Sequence, residues 1–269
     1  MISPDGRRLA VTILSDDGLD VWVADLELES LRPLTTSGQR AAATWSPDGR
    51  LIAYGSTRGP DFGILVRAAD GSGDEQRLVE DPRPLFPTSW SPDGSTLTVT
   101  RGGTAEDIYL LDVEENAELT RLVEGPDHRH AAAFSPDGRW IAYCDWASGV
   151  SAVRVRPASG KGSMIQVADD GSMPLWSPDG RELYFLTGGR RERLMVTEVE
   201  QGSTLSFTLP RRLFEHPFGG SIGLGLRRYD VSRDGKRFLY AEAPDTEAIR
   251  KIHVVLGWTE DIRSRLADR

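Results

Sequence analysis

One tetrapeptide constrains this sequence more than any other feature. Ser3-Pro4-Asp5-Gly6 returns as Ser46-Pro47-Asp48-Gly49, Ser91-Pro92-Asp93-Gly94, Ser135-Pro136-Asp137-Gly138 and Ser177-Pro178-Asp179-Gly180, and Ser232-Arg233-Asp234-Gly235 is a variant sixth copy. The spacings are 43, 45, 44, 42 and 55 residues. Proline presets φ for the first central position of a tight turn, aspartate hydrogen bonds the local backbone, and glycine takes the left-handed position. Such a turn joins two antiparallel strands.

The flanks fit that reading. An apolar residue precedes the turns (Trp45, Trp90, Phe134, Trp176, Val231), and β-type runs follow them, such as Leu51-Ile52-Ala53-Tyr54 and Trp140-Ile141-Ala142-Tyr143. Each repeat continues through a polar loop to a third strand, such as Asp107-Ile108-Tyr109-Leu110-Leu111, and a shorter fourth, such as Leu119-Thr120-Arg121-Leu122-Val123. Four strands per period of this length is a propeller blade. The sequence therefore predicts an all-β, six-bladed propeller of four-stranded blades, one domain over residues 1–269. The first blade starts at its own turn, with only Met1-Ile2 ahead of it, and the last has three strand candidates before a polar tail, Thr259–Arg269, expected to be a short helix. Incomplete blades leave strand edges that a tail, a neighbour or a second copy must cover, so self-association is expected there.

The Trp/Phe-Ser-Pro-Asp-Gly-Arg-x-Ile/Leu-Ala-Tyr pattern resembles the repeat of TolB-type propellers, which also occurs in the propellers of prolyl-oligopeptidase-like peptidases. The run Tyr229–Leu239 followed by Ile252–Trp258 is similar to the end of propellers fused behind bacterial serine/threonine kinase domains. The resemblance covers essentially the whole chain. It implies a rigid platform that binds a protein, peptide or small ligand through variable loops.

Composition narrows the partners. Of 269 residues, 32 are Lys or Arg and 41 Asp or Glu, a net charge of −9, which disfavours a phosphate backbone. Seven Trp, eight Phe and six Tyr give the chain enough to bury that disorder is not expected. No run approaches the roughly 20 apolar residues of a membrane helix. The single cysteine, Cys144, cannot form an intrachain disulfide, and the N-terminus shows no export signal, so the expected location is the cytoplasm, with the periplasm as the alternative if the chain is a fragment.

Blade geometry puts the Ser-Pro-Asp-Gly turns on one face and the loops between strands two and three, and between blades, on the other. Ligand sites favour the mouth built from such variable loops. Arg40, Phe86, Arg129, Trp146 and Arg190 fall there as candidate ligand-binding residues. The sharpest constellation is His128-Arg129-His130, since side chains two apart on a strand share a face. With His216 on the corresponding approach to the last blade and Asp145 on a neighbouring loop, it could hold Zn²⁺ or Ca²⁺ or supply a general base. Two functions are therefore carried forward. The first is a non-catalytic binding module. The alternative is a small ester or phosphoester hydrolase using His128, His130, His216 and Asp145, with Arg40 or Arg129 stabilising developing negative charge.

Other motifs carry less. Gly219-Gly220-Ser221-Ile222-Gly223 matches the nucleophile-elbow string but lacks the strand-turn-helix context. Asp61-Phe62-Gly63 stands without the other kinase signatures. The six turn aspartates lie on separate blades and cannot converge on a metal.

Overall fold

The computed structural model describes residues 1–57, 62–103, 106–113, 117–123, 128–147, 149–188, 193–201, 205–215, 227–241 and 252–255. Among these every regular element is a strand. Blade one contains β1 (Arg8–Ser15), β2 (Gly18–Asp25) and β3 (Ser30–Pro33); blade two β4 (Arg40–Trp45), β5 (Leu51–Ser56), β6 (Phe62–Ala68) and β7 (Gln76–Asp81). Blade three contains β8 (Leu85–Trp90), β9 (Thr96–Arg101), β10 (Asp107–Asp112) and β11 (Leu119–Arg121). Blade four contains β12 (His128–Phe134), β13 (Trp140–Ala147), β14 (Val150–Pro157) and β15 (Ile165–Ala168). Blade five has β16 (Ser172–Trp176), β17 (Glu182–Thr187) and β18 (Arg193–Gln201), with both β19 (Leu205–Phe207) and β20 (Arg211–Glu215) along β18. Blade six has β21 (Tyr229–Val231), β22 (Phe238–Ala241) and β23 (Ile252–Val255). All strand pairs within the blades are antiparallel, and the six sheets are the six predicted blades. The doubled outer strand of blade five is an addition the repeat did not announce.

The incomplete ends meet. Ile2 forms a bridge to Leu9, and the Ala10 amide donates to the Met1 carbonyl at 2.8 Å, so Met1–Ser3 supplies a rudimentary inner strand for blade one. The Ile2 amide donates to Oδ2 of Asp230 on β21 at 2.7 Å, joining blade one to blade six. Blade six has three strands among the described residues, and the expected C-terminal helix lies outside them. No helix among the described residues is long and apolar enough to cross a membrane.

Each turn is wired through one hydroxyl. In all six copies the serine is buried, and its Oγ donates to the turn aspartate at 2.5–2.6 Å. The same Oγ accepts the backbone N–H five residues on, at 2.9–3.0 Å. The aspartate Oδ1 also accepts the amide two residues beyond it. The turn glycines have φ between 68° and 79°, which a side chain would strain. Four of them also stand against the proline of the preceding blade: Gly49 on Pro4, Gly94 on Pro47, Gly138 on Pro92 and Gly180 on Pro136.

Apolar side chains fill the seams between blades. Ile108, Leu122, Ala132, Ile141 and Tyr143 close blade three on four; Ala133, Ala142, Val153, Trp176 and Phe185 close four on five. Burying each large side chain contributes about 1.5–3 kcal/mol. Two inner-strand tryptophans tie neighbours directly, Trp45 Nε1 donating to the Met1 carbonyl and Trp176 Nε1 to the Ala133 carbonyl, each at 3.1 Å.

Two outcomes are expected. Ser135→Ala strands the Trp140 amide and is expected to lower stability by about 1–3 kcal/mol in urea unfolding. Hydrogen bonds from serine hydroxyls and local amides hold Asp5, Asp48, Asp93, Asp179 and Asp234 below the ordinary 3.8; at Asp137 burial opposes most strongly and bonds from Ser135 and Arg139 still prevail. A depressed folded value contributes stability that is complete above 3.8 and lost as pH falls through the lower value. The urea midpoint is therefore expected to drop below pH 4, and less steeply in a variant carrying Asp48→Asn and Asp93→Asn.

Candidate functional site

The mouth opposite the turns is built where β12 begins, β13 ends, and the loop ahead of β10 crosses from blade three. Register places His128 opposite Trp146, Arg129 opposite Asp145 and His130 opposite Cys144. Direct partners in an antiparallel pair project to the same side. His130 and Cys144 therefore share one face of blade four, and Arg129 and Asp145 the other.

The second face holds a buried ionic network. Arg129 Nε lies 3.2 Å from Asp145 Oδ1, and Arg154 Nε 2.9 Å from Asp145 Oδ2. Arg129 also reaches Asp107 Oδ1 at 4.0 Å, and Arg121 sits 2.5 Å from Asp107 Oδ2. The Arg129 and Asp145 side chains are 8% and 6% exposed. Three guanidiniums and two carboxylates thus lock blade three to blade four. Asp145 acts here as an arginine acceptor on the face away from His130, unlike the ligand position expected from the sequence. Arg129, expected at the ligand, is buried within the same network.

On the first face, His130 Nδ1 stands 3.1 Å from Glu106 Oε2, off the line of a straight hydrogen bond. Burial works to lower the imidazole's affinity for its proton, and the neighbouring Cys144 and Glu106 outweigh it, pushing its pKa up to about 10. His128 stands exposed at the rim. The two imidazoles thus share a side as expected and take different environments. Among the described residues no three His, Cys, Asp or Glu side chains are grouped to hold a metal ion. His216 and Arg190 lie outside the described residues, as does the Gly219–Gly223 string.

The remaining candidates separate by exposure. Arg40 makes a two-pronged contact with Glu75 (Nε–Oε2 3.1 Å, Nη2–Oε1 2.8 Å), and the Tyr54 hydroxyl donates to the same carboxylate. Phe86 is buried against Gly55 and Gly102. Trp146 is 48% exposed, and Val150, across the same hairpin tip, is 56% exposed. Leu14 on the equivalent tip of blade one is 67% exposed. Leu14, Val150, Arg154 and Cys144 are the mouth residues that sequence reasoning passed over. One signal was available for the network: an aspartate stands at or near the start of the third strand in blades one and three, Asp20 in β2 and Asp107 in β10. Asp20 is buried like Asp107, and accepts from the Thr35 hydroxyl and the Gly38 amide.

The network and the rim have opposite sensitivities. Asp145→Ala leaves buried guanidiniums without their carboxylate and is expected to cost about 3–5 kcal/mol in urea unfolding. His128→Ala, at the exposed rim, is expected to stay within about 0.5 kcal/mol of wild type.

No family model matches the sequence. Among curated sequences, 151 residues are 31% identical to an uncharacterised Agrobacterium fabrum protein, Atu1656, covering 53% of this chain and 49% of that one. A stretch of 191 residues is 29% identical to the uncharacterised peptidase YuxL of Bacillus subtilis, covering 68% and 28%. The chain thus spans half or less of the length of these relatives. TolB from Acinetobacter baumannii superposes with a TM-score of 0.72 at 17% identity, over 94% of this chain and 61% of that one. A putative TolB from Agrobacterium tumefaciens gives 0.70 at 23%, over 87% and 85%. An oligogalacturonate lyase in complex with manganese gives 0.65 at 15%, over 96% and 73%. With its six antiparallel blades and its Ser-Pro-Asp-Gly turns, the chain has the fold of a TolB-like β-propeller.

Proposed function

We propose that the protein is a binding module that takes a protein or peptide segment at the channel mouth. The observation that supports this reading is the exposed apolar rim. Trp146 and Val150 on blade four and Leu14 on blade one project from hairpin tips on the mouth face. In a ring of six, blades one and four stand opposite, so the rim offers apolar anchors on both sides of the channel. The charged groups beneath are already engaged: Arg40 with Glu75, Arg129 and Arg154 with Asp145, His130 with Glu106. A rigid floor with aromatic and aliphatic anchors above it is how a recognition surface concentrates its affinity. Exposed Asp16 and Asp17 beside Leu14, and the net charge of −9, favour a segment that pairs an apolar residue with basic neighbours.

The hydrolase reading draws on the same mouth and on the presence of enzymes, a peptidase and a manganese-containing lyase, among the similar proteins. It needs a Zn²⁺ or Ca²⁺ site built from His128, His130 and His216, with Arg190 as a further ligand contact; the engagement of His130 by Glu106 weighs against it. Self-association belongs to this proposal as well, through blade six, which has three strands among the described residues. Nothing in the fold or the comparisons supports the cytoplasm over the periplasm.

Selection of a displayed linear-peptide library on the full chain tests the proposal. Apolar, basic peptides are expected to be enriched, and Trp146→Ala to weaken them about tenfold, the effect of truncating a central anchor. No enrichment, together with activated-ester or phosphate hydrolysis abolished by chelator and by His128→Ala, would replace the binding module with the hydrolase. Sedimentation of the same sample reads the oligomeric state.

A further inference from the structure

Among the described residues, five of the six seams between blades are filled alike and the sixth is not. The residue eight positions after each turn serine points at the preceding blade. In blades two to six it is Tyr54, Val99, Tyr143, Phe185 and Tyr240, and each is 8% exposed or less. The preceding blade meets it with an apolar residue from its fourth strand or just after that strand: Leu34, Leu78, Leu122, Ile165 and Leu213. These five stand eight to twelve positions beyond the end of the third strand of their blade.

Blade one turns the equivalent face toward blade six. Val11 holds the position of Tyr54, with Trp22 opposite it in the ladder; Leu31, opposite Ala24, lies on the same face. Val11, Ile13 and Trp22 are only half-buried, and Leu31 is 51% exposed. The described part of blade six stops at its third strand, β23, so the slot that a fourth strand fills in the other seams stands beside this face. The Ile2–Asp230 bond ties blades one and six at their inner edge and leaves the outer part of the seam to be closed otherwise.

We propose that the C-terminal segment Thr259–Arg269 is the occupant: as a short helix it lays Ile262 and Leu266, with Trp258 ahead of them, on the Val11–Trp22–Leu31 face of blade one. Trp258, Ile262 and Leu266 recur every four residues, which is one stripe of a helix. Thr259 is a capping residue type, Glu260 and Asp261 fall in the first turn and Arg269 in the last, as a helix dipole favours. Leu266 stands eleven positions beyond Val255, within the interval at which the other blades deliver their apolar residue, and Ile262 lies one turn before it. A helix satisfies its own backbone hydrogen bonds, so it fills the slot without pairing to β23; the β23 edge that carries the self-association reading is a separate surface. Glu260, Asp261 and Asp268 offset Arg263, Arg265 and Arg269, so a chain of net charge −9 does not repel the segment. Residues 256–258 are its whole link to β23, which gives the segment an effective concentration on the order of millimolar at blade one and favours it over a second copy.

Hydrogen–deuterium exchange of the full chain, read by mass spectrometry, tests the assignment. Amides of residues 260–268 are expected to exchange at least about tenfold more slowly than in a free peptide of residues 256–269, at a rate independent of protein concentration. Ile262→Asp with Leu266→Asp is expected to bring the segment to the free-peptide rate and to speed exchange in β3 several-fold. Leu31→Asp changes the other partner at a half-exposed position. It is expected to release the segment while blades two to five keep their protection, and it keeps the test open should the tail variant fail to fold. Free-peptide rates in the folded wild type, or protection that a folded Leu31→Asp protein retains in full, would overturn the proposal. Protection that appears only as concentration rises, with a dimer in sedimentation, would overturn it in favour of a second copy on the same face.

Discussion

The serine hydroxyl at the head of each turn is the interaction on which the rest depends. A four-stranded blade cannot bury its own two faces and is stable only when packed between neighbours. Each blade must therefore leave its inner strand at a reproducible angle, and the turn sets that angle. One buried Oγ fixes the aspartate on one side and the returning strand's amide on the other, so the hairpin cannot open without stranding polar groups in the interior. Proline then packs on the glycine of the next turn. Local hairpin geometry is passed from blade to blade in this way, and the ring closes through the Ile2 amide and Asp230.

That arrangement leaves the two faces of the disc unequal. The turn face is committed to holding the ring, its buried serine hydroxyls tied to the turn aspartates and to the returning strands. On the mouth face the hairpins between second and third strands are free to vary, and there the chain places its exposed Trp146, Val150 and Leu14. The ionic network of Arg129, Asp145, Arg154 and Asp107 lies just below this rim. It holds blades three and four in fixed relation under the apolar tips, and buried charge of this kind serves geometry more than net stability.

The blade count and the turn chemistry were legible because they repeat, and a turn residue acts through its immediate neighbours. The partners of the mouth residues were not legible. His128 and His130 share a side as strand alternation requires, but alternation does not say that Glu106 crosses from the preceding blade to meet only one of them. Asp145 read as a metal-type carboxylate in the sequence; its role as an acceptor for Arg129 and Arg154 depends on the register of three strands, which no single strand encodes. The second outer strand of blade five was missed for a related reason: Leu205–Phe207 is short, and only its pairing to β18 makes it a strand.

A recurrent irregularity explains why face assignments along the inner strands are difficult. Ala42, Ala131 and Met173 each lie three residues before the aromatic residue that leads the turn, and each has a left-handed φ, of 61°, 55° and 54°. The register shifts at the same place in all three strands. An extra residue there inverts the alternation, so that His130 and Ala133, an odd number apart, both lie opposite residues on one face of β13, Cys144 and Ala142. Blade three has Pro87 at the corresponding position; its ring cannot adopt positive φ, and that strand takes its register shift without a left-handed residue. Strain of about 1–3 kcal/mol at each such alanine or methionine persists only where the surroundings over-determine it. Here the turn below and the blade contacts on either side do so, and the bulge is what rotates His130 out of the inner-strand pattern and brings it over Cys144.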